Sequence, residues 1–346
     1  MVEGPFIAAR LETAFDKRME RLFRDLGWRD SIVGYTGHGS VGRVRILGRV
    51  LLAPAGRLTP SPRRDEAWRE RRGWRNFWTV SCVHRPATIT VGRRTVHVTT
   101  DRGGYIDVSV DGHGLAPGWH HAAIVTEDSR PTQARVLIVP DDAEFGIVSD
   151  VDDTIIRTYL PRPLAAAWSS LVVTESSRLP VPGMARLYRE VLRRHPGSPT
   201  FYVSTGTWNT LPFLDRFTLH HGFPPGPMLL SDWGPTNTGW FRQARVHKLR
   251  ALRRLARDFP GVHWLLVGDD GQHDPSVYAQ FAAEHPGRVT AVAIRELDPV
   301  QQVLAHGTWR QLDDLAPEPV PSAADAVPEV RGPDGDELWA RLRSIV

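Results

Sequence analysis

The segment that decides the fold runs Phe145-Gly-Ile-Val-Ser-Asp-Val-Asp-Asp-Thr-Ile-Ile156. Its apolar, β-branched start is typical of a buried strand, and it leads directly into three carboxylates and a threonine. Carboxylates crowded into so short a stretch repel one another unless a cation neutralises them. Because Mg²⁺ prefers carboxylate and phosphate oxygens, the acidic end of this strand predicts a magnesium site.

A second apolar strand with an acidic end follows later in the chain. It runs His263-Trp-Leu-Leu-Val-Gly-Asp-Asp-Gly-Gln-His-Asp274. Asp269 can bind the same cation as Asp150, and either Asp270 or Asp274 can complete the site. Ligands of parallel sheets bind beyond the carboxyl ends of the strands, so we expect these two acidic ends to converge.

Two further features lie between the acidic strands. The apolar strand Phe201-Tyr-Val-Ser-Thr-Gly206 ends in the hydroxyls of Ser204 and Thr205, which can donate hydrogen bonds to a phosphoryl oxygen. Only two of the 43 basic residues are lysines, and one of them, Lys248, stands near the start of a predicted amphipathic helix. A lysine in a chain that otherwise uses arginine indicates a site that needs a compact ammonium group.

In this order, the four pieces resemble the motifs of the haloacid dehalogenase superfamily of phosphotransferases, over about residues 144–296. The first motif is matched by Asp150, Asp152, Asp153 and Thr154, the second by Ser204, the third by Lys248, and the fourth by Gly268, Asp269 and Asp274.

Longer matches narrow the resemblance to the actin-patch type of phosphatidate phosphatase. They are Ser149-Asp-Val-Asp-Asp-Thr154, Phe201-Tyr-Val-Ser204 with Trp208-Asn209, Gly222-Phe-Pro-Pro-Gly-Pro227, and Val267-Gly-Asp-Asp270. The chain departs from that family at Thr207, where a proline usually precedes the tryptophan.

The resemblance implies a mechanism through an aspartyl-phosphate. Asp150 would be the nucleophile and Asp152 the general acid and base. Mg²⁺ would be held by Asp150, the backbone carbonyl of Asp152 and Asp269, with Asp270 or Asp274. Ser204, Thr205 and Lys248 would hold the phosphoryl oxygens, whereas Asp153, Thr154 and Gly268 would support the site.

The resemblance and the alternation of strands with helices predict an α/β fold. We expect a Rossmann-like parallel-sheet haloacid dehalogenase core over residues 142–300, with a small cap or none, because the intervals between the motifs are short. A β-rich, sandwich-like accessory domain over residues 31–141 precedes it, and the turn at Asp101-Arg-Gly-Gly104 predicts a hairpin there. Residues 301–346 are predicted to be a Pro-rich linker and a C-terminal helix.

The N-terminal part of the chain is predicted to be an amphipathic helix over residues 1–30. Leu11, Phe15, Leu22 and Leu26 lie at helical spacing, so this face can dock on the protein body or on a membrane surface. The Arg- and Trp-rich stretch 62–78 can contact anionic lipid or nucleic acid, or it can be a solvated helix whose tryptophans pack inward.

Composition narrows the location and the partners. No stretch approaches the roughly 18 consecutive apolar residues of a membrane-spanning helix, and a net charge of +4 is too small for a dedicated nucleic-acid binder. The single cysteine, Cys82, cannot form an internal disulfide, and residues 1–10 lack a secretory pattern. These features favour a cytoplasmic protein, with peripheral membrane contact if the amphipathic helix or the Arg/Trp stretch binds lipid.

The favoured function is therefore Mg²⁺-dependent hydrolysis of a phosphomonoester, with phosphatidate in a membrane as the expected substrate. One alternative is a phosphatase of nucleic-acid ends or soluble phosphomonoesters. Another is a non-catalytic scaffold whose β-rich domain binds a partner. Liposome binding and phosphate release distinguish these three readings.

Overall fold

A computed structural model describes residues 18–54, 80–157, 178–231, 240–271, 273–298, 301 and 327–346. The chain divides into two compact units, Met1–Pro140 and Asp141–Val346. The first unit is β-rich, and the second contains a parallel sheet with helices, so the mixed α/β class expected from the sequence is confirmed.

The strands of the first unit belong to one curled, mixed sheet. They are β1 (Trp28–Ser40), β2 (Arg43–Pro54), β3 (Val80–Ser81), β4 (Pro86–Val91), β5 (Arg94–Thr99), β6 (Tyr105–Asp111), β7 (Gly118–Val125) and β8 (Thr132–Val139). Their order is β3-β2-β1-β8-β7-β4-β5, with β6 also paired to β2. β1 and β8 run parallel, whereas the other pairings are antiparallel. In the described part of the unit these strands form one curled sheet around a shared core, and the sandwich-like character of the domain stays a prediction.

The hairpin predicted at residues 101–104 is wrong, although the turn itself is present. Asp101 closes the turn, because its side chain accepts hydrogen bonds from the amides of Gly103 and Tyr105, each at 2.8 Å. The carbonyl of Gly104 then accepts from the amide of Val50 at 2.8 Å. This bond directs β6 alongside β2, while β5 pairs with β4.

The described part of the N-terminal helix, residues 18–25, is held by a buried carboxylate. Asp30 accepts from Arg24 at 2.6 Å, Arg85 at 2.7 Å and Thr126 at 2.6 Å. Of the predicted apolar face, Leu22 and Leu26 are 51% and 66% exposed. Leu11 and Phe15 lie outside the described residues, as does the Arg/Trp stretch 62–78.

The second unit is built on a six-stranded sheet in which every described pairing is parallel. Its strands are β9 (Phe145–Asp150), β10 (Thr200–Thr207), β11 (Met228–Ser231), β12 (His263–Asp269), β13 (Val289–Arg295) and β14 (Glu329–Gly332). Its helices are α1 (Met184–Arg194), α2 (Leu211–His220), α3 (Trp240–Asp258), α4 (Asp274–Glu284) and α5 (Gly335–Leu342). The strand order is β11-β10-β9-β12-β13-β14, so the chain proceeds outward from β9 in one direction and then resumes at β12 in the other. The carboxyl ends at such a reversal are where ligands of open α/β sheets bind.

The sheet core explains why these segments form strands. Ile147, Phe201, Trp264 and Leu265 are fully buried, as expected of near-continuous apolar strands covered on both faces. None of the helices in the described ranges is both long and apolar enough to cross a membrane. Residues 158–177, between the first two motifs, lie outside the described residues, so the small or absent cap stays a prediction.

The C-terminal stretch contributes a strand that the sequence pattern did not predict. β14 pairs with β13, so the sheet continues beyond residue 300. α5 follows directly, and the side chain of Asp334 caps it by accepting from the amides of Asp336 and Glu337, each at 3.0 Å. The helix buries Leu338 and Leu342. Residues 302–326 of the predicted linker lie outside the description.

Candidate active site

The loop after β9 brings a threonine back over the last residue of the strand. The amide of Ile155 donates to the carbonyl of Val151 at 3.0 Å, and Asp153 adopts a left-handed conformation with φ of 58°. This tight reversal places the Thr154 hydroxyl 3.2 Å from Oδ2 of Asp150. Thr154 is fully buried, and Asp150 is only 2% exposed.

Lys248 joins two carboxylates from different parts of the chain. Its ammonium lies 2.6 Å from Oδ1 of Asp150 and 2.5 Å from Oδ1 of Asp274. Lys248 comes from α3 and is 4% exposed, whereas Asp274 is the first residue of α4 and is fully buried. The lysine singled out from composition therefore lies beside the predicted nucleophile.

Asp269, the last residue of β12, completes a cluster of three buried carboxylates. One oxygen from each of Asp150, Asp269 and Asp274 lies within 4.8 Å of the others. The Thr154 hydroxyl is 3.5 Å from Oδ2 of Asp269, so this oxygen and Oδ2 of Asp150 approach the same point. Three carboxylates against the single ammonium of Lys248 leave two negative charges within this group.

The electrostatics of the cluster disfavour ionisation of two of its carboxyl groups, those of Asp150 and Asp269. Burial raises the pKa of Asp150 well above its ordinary value, and the charge of Lys248 offsets this only in part. Burial also raises the pKa of Asp269, with further increases from the charges of Asp274 and Asp150. For Lys248 itself, burial would lower the pKa, but the two carboxylates outweigh burial and raise it. The carboxylates of Asp150 and Asp269 are therefore poorly stabilised as anions by the protein alone.

Gly268 allows Asp274 to reach the cluster. A β-carbon at this position would lie 2.5 Å from Oδ2 of Asp274 and 2.8 Å from its Cβ. The Asp274 side chain therefore packs directly against the backbone of β12, where its Oδ2 accepts from the amide of Asp269 at 3.3 Å. The close approach, rather than a special φ, is the reason for glycine here.

Asp152 lies on the other side of the loop, beside Ser204. The Ser204 hydroxyl donates to Oδ2 of Asp152 at 3.1 Å and accepts from the amide of Gly206 at 2.9 Å. Oδ1 of Asp152 is buried and accepts no hydrogen bond from the described residues. Burial raises the pKa of this carboxyl group, although the hydrogen bond from Ser204 and the charge of Arg178 lower it in part.

Three residues that the sequence predicted for the site make their contacts outside the cluster of three carboxylates. Oδ1 of Asp270 accepts from the amide of Leu297 at 2.9 Å, and Asp270 is not part of the three-carboxylate group. Thr205 accepts from the Ser231 hydroxyl through its backbone carbonyl at 2.8 Å. The carbonyl of Asp153 accepts from Arg295 at 2.5 Å.

Sequence reasoning missed several residues around the site. Arg295 follows a predicted apolar strand, but nothing in the pattern indicates that its side chain turns inward. The hydroxyl of Tyr188 lies 2.7 Å from that of Ser149, which in turn donates to the Asp150 carbonyl at 2.5 Å. Arg178 is close enough to Asp152 to lower the pKa of that carboxyl group. These contacts arise from tertiary packing, so neither spacing nor composition signals them.

The residues of the cluster fit a small, hard divalent cation. All donors are carboxylate oxygens, which suit Mg²⁺ better than softer metals. The geometric group consists of Asp150, Asp269 and Asp274. A divalent cation would balance the two negative charges of the group.

Comparison with known proteins relates most of the second unit to a known family. Residues 145–296 match the family model described as "Phosphatidate phosphatase APP1, catalytic domain". This segment is therefore similar to that family over 152 residues. The match begins at β9 and ends just after β13, so it contains every residue of the carboxylate cluster and Lys248. The first unit, β14 and α5 lie outside the matched range.

Two curated proteins are similar to this chain. The phosphatidate phosphatase APP1 of Saccharomyces cerevisiae is 27% identical over 152 residues, which cover 44% of this chain and 26% of that protein. An uncharacterised protein of Schizosaccharomyces pombe is 22% identical over 175 residues, which cover 50% of this chain and 29% of that protein. The chain therefore spans less than a third of the length of these relatives.

Among solved structures, a carbohydrate acetylesterase from Xanthomonas citri aligns with this chain over 78% of this chain and 70% of the acetylesterase chain. The identity is 9% and the TM-score is 0.27. A likeness this low carries no argument about fold or function.

Proposed function

We propose that the second unit is a Mg²⁺-dependent phosphomonoester hydrolase of the APP1 type, on a haloacid dehalogenase-like core. The observation that carries this proposal is the convergence of Asp150, Asp269, Asp274 and Lys248 in a buried cluster at the strand ends. The parallel order β11-β10-β9-β12-β13 and the position of the cluster at its reversal support the choice of core.

In the proposed reaction, Asp150 attacks the phosphorus atom and forms an aspartyl-phosphate. Lys248 and Thr154 hold the carboxylate of Asp150 in place through its two oxygens, Oδ1 and Oδ2. Lys248 and the hydroxyl of Ser204 also stabilise negative charge on the phosphoryl oxygens, and Thr205 assists at the end of β10. Asp153 shapes the loop after β9, and Gly268 shapes the end of β12.

Asp152 is the proposed general acid and base. It donates a proton to the departing oxygen and later removes one from the water that hydrolyses the aspartyl-phosphate. Its buried Oδ1, which accepts no hydrogen bond from the described residues, supports this role, because that atom is available to the reacting groups. Ser204 orients the other oxygen at 3.1 Å.

Mg²⁺ would be held by the carboxylates of Asp150, Asp269 and Asp274 and by the backbone carbonyl of Asp152. When bound, it would neutralise charge on the cluster and on the phosphoryl group. The two uncompensated negative charges of the cluster support this assignment. The contact between Asp270 and Leu297 favours Asp274 over Asp270 as the third carboxylate.

The favoured substrate is phosphatidate at the surface of a membrane, and the location proposed from the sequence is the cytoplasm. The support comes from the APP1-type match and from residues beside Asp152. The guanidinium of Arg178 lies 5.4 Å from the centre of the Phe213 ring and interacts with Asp152, and the neighbouring Leu179 is 56% exposed. A cation beside an exposed leucine and a half-buried phenylalanine suits a phosphate that is joined to an apolar lipid.

The test is phosphate release from phosphatidate in mixed micelles and from para-nitrophenyl phosphate, each with Mg²⁺ or EDTA. Wild type is compared with Asp150→Asn and with Asp142→Asn, an exposed carboxylate just before β9. Mg²⁺-dependent turnover that favours the lipid, persists in Asp142→Asn and is lost in Asp150→Asn supports the proposal. Turnover of the soluble ester alone would remove phosphatidate as substrate, and no turnover of either would favour a non-catalytic scaffold.

A further inference from the structure

A buried arginine connects the catalytic loop to the C-terminal part of the chain. Arg295, the last residue of β13, is 4% exposed. Its guanidinium donates to the carbonyl of Asp153 at 2.5 Å, to Oε1 of Gln301 at 2.8 Å and to the carbonyl of Pro333 at 3.0 Å. The planar fork therefore joins the catalytic loop, the segment just after β13 and the segment just after β14.

Burial disfavours the charged form of this guanidinium, so the presence of arginine here indicates a specific role. Burial lowers the pKa of Arg295 despite the nearby carboxylates of Asp153 and Asp269. Its three hydrogen-bond acceptors named above are uncharged amide oxygens. Burial of a charged group costs free energy unless its hydrogen bonds are well satisfied. The guanidinium is therefore kept at this position for its directional hydrogen bonds to the three oxygens.

The contact with Asp153 acts on the loop that holds the nucleophile. Asp153 is the left-handed residue of this loop, and its carbonyl belongs to the peptide that leads into Thr154. Because a peptide unit is planar, a bond that holds this carbonyl also fixes the start of Thr154. The Thr154 hydroxyl then lies 3.2 Å from Asp150 and 3.5 Å from Asp269.

We propose that Arg295 is a positioning residue that holds the Asp153–Thr154 peptide and thereby aligns Thr154 with Asp150 and Asp269. The second part of the proposal concerns Gln301 and Pro333, which accept hydrogen bonds from Arg295. Both residues lie outside the family match at residues 145–296, so the C-terminal segment of this chain stabilises the catalytic loop. The kinetic consequence rests on the proposed phosphatase function, whereas the structural consequence does not.

The test compares Arg295→Ala and Arg295→Lys with Arg288→Ala in the full chain. Arg288 is a matched control, because it precedes β13 at the opposite end of the strand and donates to the carbonyls of Val262 and Phe259. Burial lowers the pKa of Arg288 as well. Two experiments are run on each variant. Hydrogen exchange is measured in the peptide covering 150–157, and steady-state kinetics with para-nitrophenyl phosphate and Mg²⁺ give kcat and KM.

We expect Arg295→Ala to accelerate exchange in residues 150–157 while β10 and β12 keep their protection. The kcat should fall by about 100-fold, as for a misplacement of roughly 1 Å, with little change in KM. Millimolar guanidinium should restore part of the lost kcat in Arg295→Ala and leave the kcat of Arg288→Ala unchanged, because only the first cavity borders the loop. Arg295→Lys should show the same defects more weakly, since an ammonium cannot reproduce the fork.

Unchanged exchange in residues 150–157, or equal effects in Arg288→Ala, would overturn the proposal. So would a kcat of Arg295→Ala that guanidinium leaves unchanged. If Arg295→Ala fails to fold, Arg295→Lys decides by the same exchange measurement. If wild type hydrolyses no phosphomonoester, the proposed function fails, but the exchange comparison still decides whether Arg295 holds the loop.

Discussion

Replacing Lys248 with methionine should destabilise the second unit strongly. Lys248 is the ammonium partner of Asp150 and Asp274, at 2.6 and 2.5 Å, and all three side chains are buried. Methionine fills nearly the same space but carries no charge. The variant therefore leaves two buried carboxylates facing one another and the carboxylate of Asp269.

The expected magnitude follows from the burial of this ion pair. Removing one partner of a buried pair costs about 3–5 kcal/mol, because the remaining charge has no compensation. For a unit of this size, that loss lowers the Tm by about 6–20 °C. The same helix, α3, offers a control in Arg253→Met, which breaks an exposed pair with Glu284. Exposed pairs contribute roughly 0–1 kcal/mol, so this control should change the Tm by a few degrees at most.

The assay is differential scanning calorimetry in EDTA, so that no divalent cation replaces the lost ammonium. Calorimetry also separates the transitions when the two units unfold independently. A Tm for Lys248→Met within a few degrees of that of Arg253→Met would refute the reasoning, because it would mean that the carboxylates do not remain as buried, uncompensated charges.

Two further predictions concern Gly268 and Asp30. Gly268→Ala should displace Asp274 and lower kcat/KM by about 100-fold in steady-state assays. Gly261→Ala is the control and should keep its activity, because the added β-carbon would meet its nearest atom at 3.5 Å. Equal activity of both variants would contradict the packing argument. In the first unit, burial opposes ionisation of Asp30, but hydrogen bonds from Thr126, Arg85 and Arg24 outweigh it and lower the pKa of Asp30. Its stabilisation should therefore be complete above the unfolded pKa of about 4 and lost as pH falls through the lower folded value. Urea unfolding of wild type and Asp30→Asn should differ most near neutral pH and converge in acid, and a constant difference would contradict the prediction.

The site residues that the sequence predicted share a local signal. Asp150 and Asp269 each end an apolar run, and parallel strands carry such ends to one edge of the sheet. Lys248 stood out because lysine is rare in this chain. These signals need no knowledge of packing, which is why the structure places the three side chains together as expected.

The choice between Asp270 and Asp274 required tertiary structure. Both follow β12 closely, and the sequence left both open. The start of α4 at Asp274 directs that carboxylate back toward Gly268, whereas Asp270 is held by the amide of Leu297 after β13. Such contacts depend on where β13 lies, which spacing within one motif does not reveal.

Strand pairing was the least predictable part of the fold. The turn at Asp101–Gly104 has the composition of a hairpin, but β6 pairs with β2 through contacts distant in sequence. β14 is only four residues long and follows a Pro-rich stretch, so it has no pattern that distinguishes it from a loop. Arg295 was missed for the same reason, since two of its partners, Asp153 and Pro333, lie on segments that meet it only in the folded sheet.

The central claim is that Asp150 becomes phosphorylated during turnover, and a rapid-quench experiment tests it most directly. Enzyme is mixed with phosphatidate and Mg²⁺, quenched in acid during the first turnover, digested and analysed by mass spectrometry. We predict one added phosphoryl group on the peptide that contains residues 145–157, located on Asp150 and absent from Asp150→Asn. Full turnover without this adduct, or an adduct on another residue, would contradict the account.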